Sequence, residues 1–348
     1  MIPLPTMQWM DGFLRLLDQR KLPSEETYID CMDVDSLAEA ISTLAVRGAP
    51  AIGIAAAFGA VIAAITSDPG EEFNDTFHSK INILEGTRPT AVNLFHCLEI
   101  QRDVFHRNPD RENAVRSLLE SAHEMMRSDL EASRRMGRFG ADLLESGSTV
   151  LTHCNAGGLA TAGLGTALAV IYEAWDRNLL RKVYADETRP LLQGARLTSW
   201  ELSRAGIPVD VLPDSAAASL LRTGEVDAVI VGSDRIAANG DAANKIGTYP
   251  LALAAKAHGI PFYVVAPLST FDILTSCGGE IEIEHRGRDE LAALGGRKLL
   301  PEAAGVWNPA FDVTPALLIT AIICENGVLF SPDTESVQSV RGDPGYGD

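Results

Sequence analysis

The chain has 348 residues, of which 46% are hydrophobic and 22% charged, and its formal net charge is -18. This length predicts two domains, each able to bury its own core, and the composition excludes a low-complexity or disordered chain. The negative charge repels polyanions, so we expect no nucleic-acid partner. An anionic substrate would have to be bound by a few local cations.

The five cysteines are odd in number, widely spaced and without a CxxC pair. This pattern argues against both a disulfide framework and a structural zinc site. The N-terminal residues show no basic region followed by an apolar core, so we predict no secretory signal. Together these features predict a protein of the reducing cytoplasm.

The first part of the chain has mostly helical periodicity. Residues 7–28 alternate apolar and polar side chains around Asp11 and Gly12, which predicts a short hairpin. Helices are predicted over residues 35–46, 51–65, 91–107 and 111–145, the last interrupted at most once.

Residues 48–67 carry no charge and are long enough to span a bilayer. They are rich in alanine and glycine, which are weakly hydrophobic and pack closely against other helices. We therefore predict a buried helix and no membrane partner.

From about residue 148, strands and helices alternate. The predicted strands are 149–151, 182–185, 209–212, 228–231 and 262–266, and the predicted helices are 159–175, 192–205, 216–222 and 249–258. This rhythm indicates an α/β domain with a largely parallel sheet covered on both faces. The boundary is expected between residues 125 and 148, which gives a small, mainly helical domain over 1–135 and an α/β catalytic domain over 136–348.

Polar residues follow two of the predicted strands. Cys154 comes just after the strand 149–151, and Asp234 follows the strand 228–231. Because parallel strands bind ligands beyond their carboxyl ends, a thiol and a carboxylate placed there predict an acid/base pair. The alternatives are a buried structural cysteine and a turn-capping aspartate.

The surroundings of both residues predict shifted pKa values. Backbone amides at Gly157, Gly158 and the start of the following helix would lower the pKa of the Cys154 thiol, and would equally suit a phosphate. Partial burial would raise the pKa of Asp234. We interpret His153 as a packing or supporting residue, because adjacent strand residues point in opposite directions.

Several polar residues are candidates for binding a phosphorylated ligand. Arg47 and Arg88 precede predicted helices that have Pro50 and Pro89 in the first turn, where an arginine and a helix N-terminus can hold a phosphate together. The alternative is a pair of surface arginines near helix caps. Three further candidates, placed to hold a hydroxyl or lie near the aspartate, are Gln193, Asn244 and Lys245.

No cofactor signature is present. The turn after the strand 149–151 lacks G-x-G-x-x-G, and the sequence contains no P-loop, H-E-x-x-H or calcium-loop pattern. We expect neither a nucleotide cofactor nor a metal.

Six blocks of sequence, at residues 47–53, 87–90, 152–155, 186–200, 232–235 and 308–315, closely resemble the methylthioribose-1-phosphate isomerase family. The resemblance covers nearly the whole chain. The wider fold family also contains other sugar-phosphate isomerases and the regulatory subunits of a translation-initiation exchange factor. The resemblance implies a homodimer in which a helical N-terminal domain precedes a Rossmann-like domain. It implies an aldose–ketose isomerase that converts 5-methylthio-D-ribose 1-phosphate into 5-methylthio-D-ribulose 1-phosphate in methionine salvage.

The same resemblance implies residue roles. Cys154 and Asp234 correspond to the catalytic pair. The implied substrate contacts are Arg47, Gly48, Ala49, Arg88, Gln193, Asn244 and Lys245. Three alternatives stay open at this point: an isomerase of 5-deoxyribose 1-phosphate or ribose 1,5-bisphosphate, a noncatalytic regulatory subunit, and a nucleotide-dependent oxidoreductase.

Overall fold

The structure is a computed structural model that describes residues 4–68, 70, 72–88, 91–108 and 110–340. The chain divides into two compact units. Unit 1 comprises Met1–Arg134 and Ala156–Gly165, and unit 2 comprises Arg135–Asn155 and Thr166–Asp348. Sequence periodicity indicates a single boundary and gives no sign that Ala156–Gly165 packs with unit 1.

Unit 1 begins with a three-stranded antiparallel sheet and continues with helices. The sheet order is β1 (Met7–Trp9), β2 (Leu14–Leu17) and β3 (Tyr28–Cys31). The predicted hairpin is confirmed by β1 and β2, and β3 adds a strand to it. The helices are α1 (Val34–Ser42), α2 (Ala49–Thr66), α3 (Phe73–Glu85), α4 (Val92–His106) and α5 (Arg111–Ala141), and α5 belongs to unit 2 from Arg135 onward. The four predicted helices are found, and α3 is an additional one.

Helix α2 forms the centre of unit 1. Within the described residues it is the one helix long and apolar enough to cross a membrane, and 78% of it is buried inside the protein. Small residues allow this burial: a Cβ on Gly53 would lie 2.9 Å from the carbonyl oxygen of Asn93 on α4. Phe58 stacks on Trp9 of β1 with the ring centroids 5.5 Å apart. The predicted buried helix is therefore confirmed.

Unit 2 contains all of the remaining strands. In chain order they are β4 (Ser148–Thr152), β5 (Leu180–Asp186), β6 (Val209–Leu212), β7 (Ala228–Val231), β8 (Arg235–Ala237), β9 (Ala242–Lys245), β10 (Phe262–Val265), β11 (Phe271–Asp272), β12 (Ala293–Leu294), β13 (Arg297–Lys298), β14 (Phe311–Thr314), β15 (Ala321–Cys324) and β16 (Gly327–Phe330). The main sheet has the order β16-β15-β10-β7-β4-β5-β6 and is parallel except for the edge strand β16. A second sheet has the order β11-β8-β9-β14. The predicted α/β class with a largely parallel sheet is confirmed.

The helices of unit 2 are short. They are α6 (Ala167–Asp176), α7 (Ser199–Arg204), α8 (Ala217–Leu221), α9 (Thr248–Ala257), α10 (Asp289–Ala292) and α11 (Thr334–Val340). A π-helical turn over Gly194–Thr198 leads directly into α7.

One predicted helix is wrong at its start. The helix expected over residues 159–175 begins at Ala167, and only a 3-10 turn over Gly158–Ala160 precedes it. Gly163 and Gly165 adopt φ angles of 137° and 89°, which an α-helix does not accommodate. The α-helix N-terminus expected just after Cys154 is therefore not found there.

Candidate active site

Three neighbouring strands of unit 2 carry candidate residues at their carboxyl ends. Strand β4 lies between β7 and β5 in the main sheet. Cys154 follows β4, Asp234 follows β7, and Gln193 lies on the segment that follows β5. The structure therefore brings these three chain segments to the same edge of the parallel sheet, which is where such sheets bind ligands.

Cys154 is held in place by hydrogen bonds to its main chain. It is 8% exposed and has a φ of 60°, in the left-handed region that only glycine adopts without strain. Its N–H donates to Oγ1 of Thr188 (2.8 Å), and its carbonyl accepts from Oγ1 of Thr198 (2.6 Å). A conformation of this kind costs on the order of 1–3 kcal/mol and persists only where its surroundings impose it.

The segment after β5 supports this arrangement. Oγ1 of Thr188 donates to the carbonyl of Asp186 (3.0 Å), and Thr188 itself has a φ of 64°. The Asp214 carboxylate accepts from the N–H groups of Thr188 and Arg189, each at 2.7 Å. Sequence reasoning missed the individual roles of Thr188 and Asp214. The density of polar residues after β5 was the only signal for them.

Asn155 lies in a buried polar cluster. Its Nδ2 donates to Oε1 of Glu201 (2.8 Å) and to Oγ1 of Thr198 (3.2 Å). The Tyr172 hydroxyl donates to Oε2 of Glu201 (3.1 Å), and burial, together with the charge of Glu201, raises the pKa of Tyr172 well above its usual value. These bonds fix the residue that follows Cys154.

His153 lies in a second buried network. Its Nδ1 is 2.8 Å from Oδ2 of Asp186, and its Nε2 is 2.9 Å from the carbonyl oxygen of Ile246. Burial lowers the pKa of His153, but the hydrogen bond and charge of Asp186 outweigh this effect and the pKa is raised overall. Burial raises the pKa of Asp186. Both pKa shifts favour a proton that is retained by His153 and Asp186 together. This agrees with the supporting role predicted for His153.

His153, Asp186 and Asp214 are close enough to hold a metal ion, with one ligand atom from each lying within 4.8 Å of the others. Hydrogen bonds, however, already engage both nitrogens of His153 and both carboxylate oxygens of Asp214. We interpret this cluster as a hydrogen-bonded network.

The structure contradicts one prediction about the environment of Asp234. Its side chain is exposed, so the expected partial burial is wrong for this residue. The buried apolar run ends at Gly232, and the chain then leaves the main sheet to form the hairpin of β8 and β9. The Asp234 N–H donates to the carbonyl of Ala243 (2.9 Å), and extending the strand register by one residue puts Asp234 across from Asn244.

Asn244 and Lys245 are found at the end of β9. Asn244 is buried, and its Nδ2 donates to Oγ1 of Thr248 (3.0 Å). Nζ of Lys245 donates to the carbonyl of Ala310 (2.8 Å) and lies 4.3 Å from the centroid of the Phe311 ring. The structure therefore places the predicted amide and ammonium on the strand that pairs with the Asp234 segment.

Gln193 has a buried side chain whose Oε1 has no hydrogen-bond partner among the described residues. The adjoining Gly194 is required by close approach, because a Cβ there would lie 1.7 Å from the carbonyl oxygen of Asp186. An unpartnered buried acceptor can receive a hydrogen bond from a ligand hydroxyl.

The remaining candidates belong to unit 1. Gly48 caps α2 with a φ of 94°, and a Cβ there would lie 2.4 Å from the carbonyl oxygen of Ala160. Arg47 precedes this cap, Ala49 begins α2, and Arg88 lies just before α4. The predicted helix starts are thus found. Pro50 lies in the first turn of α2, while Pro89 lies outside the described residues.

Three of the other cysteines have thiols that burial makes weakly acidic. Burial raises the pKa of Cys97 to about 12 and those of Cys31 and Cys324 to about 11. These three thiols therefore suit a structural role in the protein core.

Comparisons with known proteins give consistent matches over nearly the whole chain. The family model described as "Initiation factor 2 subunit family" matches residues 45–331. The chain is 52% identical over 340 residues to a methylthioribose-1-phosphate isomerase of Pelotomaculum thermopropionicum, covering 96% of this chain and 93% of that one. It is 50% identical to a protein of the same name from Thermotoga neapolitana, covering 97% of this chain and 98% of that one.

Solved structures are similar as well. A crystal structure of 5-methylthioribose 1-phosphate isomerase from Pyrococcus horikoshii matches with a TM-score of 0.93 and 44% identity, covering 98% of this chain and 96% of that one. A crystal structure of translation initiation factor eIF-2B, subunit delta, from A. fulgidus matches with a TM-score of 0.88 and 43% identity, covering 96% and 98%.

Proposed function

Since the chain belongs to the initiation factor 2 subunit family and, within it, to the methylthioribose-1-phosphate isomerases, we propose that it converts 5-methylthio-D-ribose 1-phosphate into 5-methylthio-D-ribulose 1-phosphate. The observation that carries this conclusion is the 50–52% identity to curated isomerases over 96% or more of the chain. The chain is thus an intramolecular oxidoreductase of methionine salvage, a route of methionine biosynthesis. Its catalytic pair is Cys154 and Asp234.

The chemistry explains why an acid is needed. An aldose 1-phosphate is closed as a furanose by the bond between C1 and the ring oxygen, and this bond must break before C2 can be oxidised and C1 reduced. We assign protonation of the ring oxygen to Asp234. Because this side chain is exposed, bound substrate must exclude water from the carboxyl to keep it protonated near neutral pH.

Two routes complete the reaction. In the proton route, the Cys154 thiolate removes the hydrogen of C2 as a proton and the electron pair forms a C1–C2 double bond. The proton then goes to C1, and the 2-hydroxyl loses its own proton to the Asp234 carboxylate as the ketone forms. In the hydride route, hydrogen passes from C2 to C1 with its electron pair, the 2-hydroxyl loses its proton to the Asp234 carboxylate, and Cys154 shields a dry site. Both routes leave the sugar's composition unchanged.

Binding of the substrate is assigned to residues whose chemistry suits its parts. Two arginines and a helix N-terminus can bind a phosphate, and the buried Oε1 of Gln193 can accept a hydrogen bond from a sugar hydroxyl. The proposed contacts are Arg47, Gly48, Ala49, Arg88, Gln193, Asn244 and Lys245.

We further propose that the enzyme acts in the cytoplasm as a homodimer, without a cofactor or a metal and with neither nucleic acid nor membrane as a partner. The sequence patterns and the family resemblance support this. The observed hydrogen bonds of His153, Asp186 and Asp214 agree with a site that works without a metal.

The experiment is steady-state turnover of 5-methylthioribose 1-phosphate, with 5-deoxyribose 1-phosphate and ribose 1,5-bisphosphate as competing substrates. We expect the highest kcat/KM for the methylthio sugar. One sulfur-methyl group in an apolar pocket discriminates by only about 10–200-fold, so the three ratios must be measured side by side. A folded chain that turns over none of them would instead favour the regulatory-subunit function.

Solvent deuterium distinguishes the two routes. Deuterium at C1 of the product supports the proton route, and its absence supports hydride transfer.

A further inference from the structure

A single buried imidazole contacts the chain segments that carry three candidate residues. His153 immediately precedes Cys154. Its Nδ1 binds Asp186, the last residue of β5, from which the chain continues to Gln193, and its Nε2 binds the carbonyl of Ile246, which follows Lys245. We propose that His153 is a positioning residue for the reaction and fixes the ends of β4, β5 and β9 relative to one another. The inference rests on the proposed function of this site.

The hydrogen-bond partners of the imidazole determine its protons. A backbone carbonyl can only accept, so Nε2 must carry a hydrogen. One further proton then lies between Nδ1 and Oδ2 of Asp186. The other carboxyl oxygen, Oδ1, is buried and has no partner among the described residues, so the bond to His153 is the one that holds this side chain.

The segment after β9 is packed tightly against this imidazole. Gly247 has a φ of 104°, and a Cβ there would lie 2.8 Å from Cε1 of His153. The Gly247 N–H donates to Oδ2 of Asp312 (2.8 Å), and Oδ1 of Asp312 accepts from the N–H of Tyr249 (3.0 Å). His153 and Asp312 thus both contact Gly247, which lies two residues beyond Lys245. A displacement of the imidazole would therefore move the Lys245 segment.

Two substitutions of His153 each keep one of its two side-chain hydrogen bonds and remove the other. In His153→Asn the amide nitrogen takes the place of Nδ1, so the bond to Asp186 is kept and that to Ile246 is lost. In His153→Gln the amide nitrogen takes the place of Nε2, so the bond to Ile246 is kept and that to Asp186 is lost. A small misplacement at an active site can cost about 100-fold in rate.

We expect His153→Asn to raise KM about tenfold with a smaller change in kcat, because it releases the Lys245 segment. We expect His153→Gln to lower kcat about tenfold with a smaller change in KM, because it releases the segments around Cys154. Asp186→Ala should behave like His153→Gln. Asp186→Asn, which can donate to a neutral Nδ1, should stay close to the wild type. The control is His78→Gln in unit 1, where the histidine faces Arg102 and should not affect turnover.

A second readout does not depend on turnover. We expect His153→Gln to change the alkylation rate of Cys154 by iodoacetamide, measured by mass spectrometry relative to the half-buried Cys277. If the wild type turns over no sugar, the proposed function fails, and this ratio alone decides the positioning role. The inference would be overturned if the folded His153→Asn, His153→Gln and Asp186→Ala variants all kept the kcat, the KM and the alkylation ratio of the wild type. His153 would then be a structural core residue.

Discussion

Cys154 is positioned by its main chain. Its N–H and carbonyl are bound by the hydroxyls of Thr188 and Thr198, which hold a left-handed conformation on a residue with a side chain. These two hydrogen bonds hold the backbone that carries the thiol in place. Loss of the hydroxyl of either Thr188 or Thr198 should therefore lower both the stability of the fold and the rate of catalysis.

Replacement of Thr188 by valine removes the acceptor of the Cys154 N–H. Leaving a buried amide without a partner costs about 1–3 kcal/mol, so we expect the free energy of unfolding to fall by this amount in urea titrations. Thr188→Ser keeps the hydroxyl and serves as the matched control. Equal stability of the valine and serine variants would contradict the assigned role.

The stability of unit 2 should depend on pH through His153. Its pKa is raised in the folded chain, so its contribution is fully present below the ordinary histidine pKa of about 6.5 and is lost as pH rises through the raised pKa. The carboxyls of Asp186, Asp214 and Asp312 act on this residue, and Lys245 lies beside Asp312. We expect the difference in unfolding free energy between wild type and His153→Gln to shrink from about pH 6 to 9. A constant difference would show that no proton is involved.

At the residue scale, sequence predicts where the polar groups lie better than it predicts their environment. Cys154 and Asp234 are recognisable because they follow apolar strands. The exposure of Asp234 depends on the path of the β8–β9 hairpin, which no local pattern reveals. Thr188 and Thr198 act through spatial contacts with residue 154, so their spacing in the sequence carries no sign of the role.

Among the elements, helices with a regular apolar period are predictable and interrupted ones are not. Helix α2 is recognised from its small, uncharged residues. The helix expected from residue 159 does not form there because Gly163 and Gly165 adopt positive φ angles. The sequence does not show which φ a glycine will adopt. The π-helical turn Gly194–Thr198 begins where Gly194 packs closely against the carbonyl oxygen of Asp186.

This turn offers a prediction at the element scale. A Cβ at Gly194 would lie 1.7 Å from the carbonyl oxygen of Asp186, so Gly194→Ala must displace the segment that carries Gln193. We expect a loss of at least about tenfold in kcat/KM and a lower Tm, because backbone shifts of this kind cost about 1–3 kcal/mol. Gly287→Ala, where a Cβ has open space, is the control. Wild-type kinetics in Gly194→Ala would contradict the close approach.

For the whole molecule, the family resemblance predicts a homodimer. Light scattering on the purified chain should give about twice the chain mass of 37.2 kDa. The exposed apolar side chains of Tyr249 and Leu253 on α9, with Leu317 beyond β14, are candidates for burial in such an interface. A monomer at micromolar concentration would contradict this prediction.

The alternation of strands and helices makes the main sheet predictable as a whole. The return of Ala156–Gly165 to unit 1 is not predictable, because it depends on close packing against Gly48 and on a hydrogen bond from Gln19 to the carbonyl of Leu159. Such contacts join residues far apart in sequence.

The most direct test of the catalytic pair is turnover of 5-methylthioribose 1-phosphate by Cys154→Ala and Asp234→Asn. Matched controls are Cys324→Ala, which removes a buried thiol from β15, and Asp210→Asn, which removes an exposed carboxylate from β6. We predict that both site variants remain folded and lose kcat by about 100-fold or more, while both controls keep it. Substantial turnover by either folded site variant would contradict the assignment of that residue.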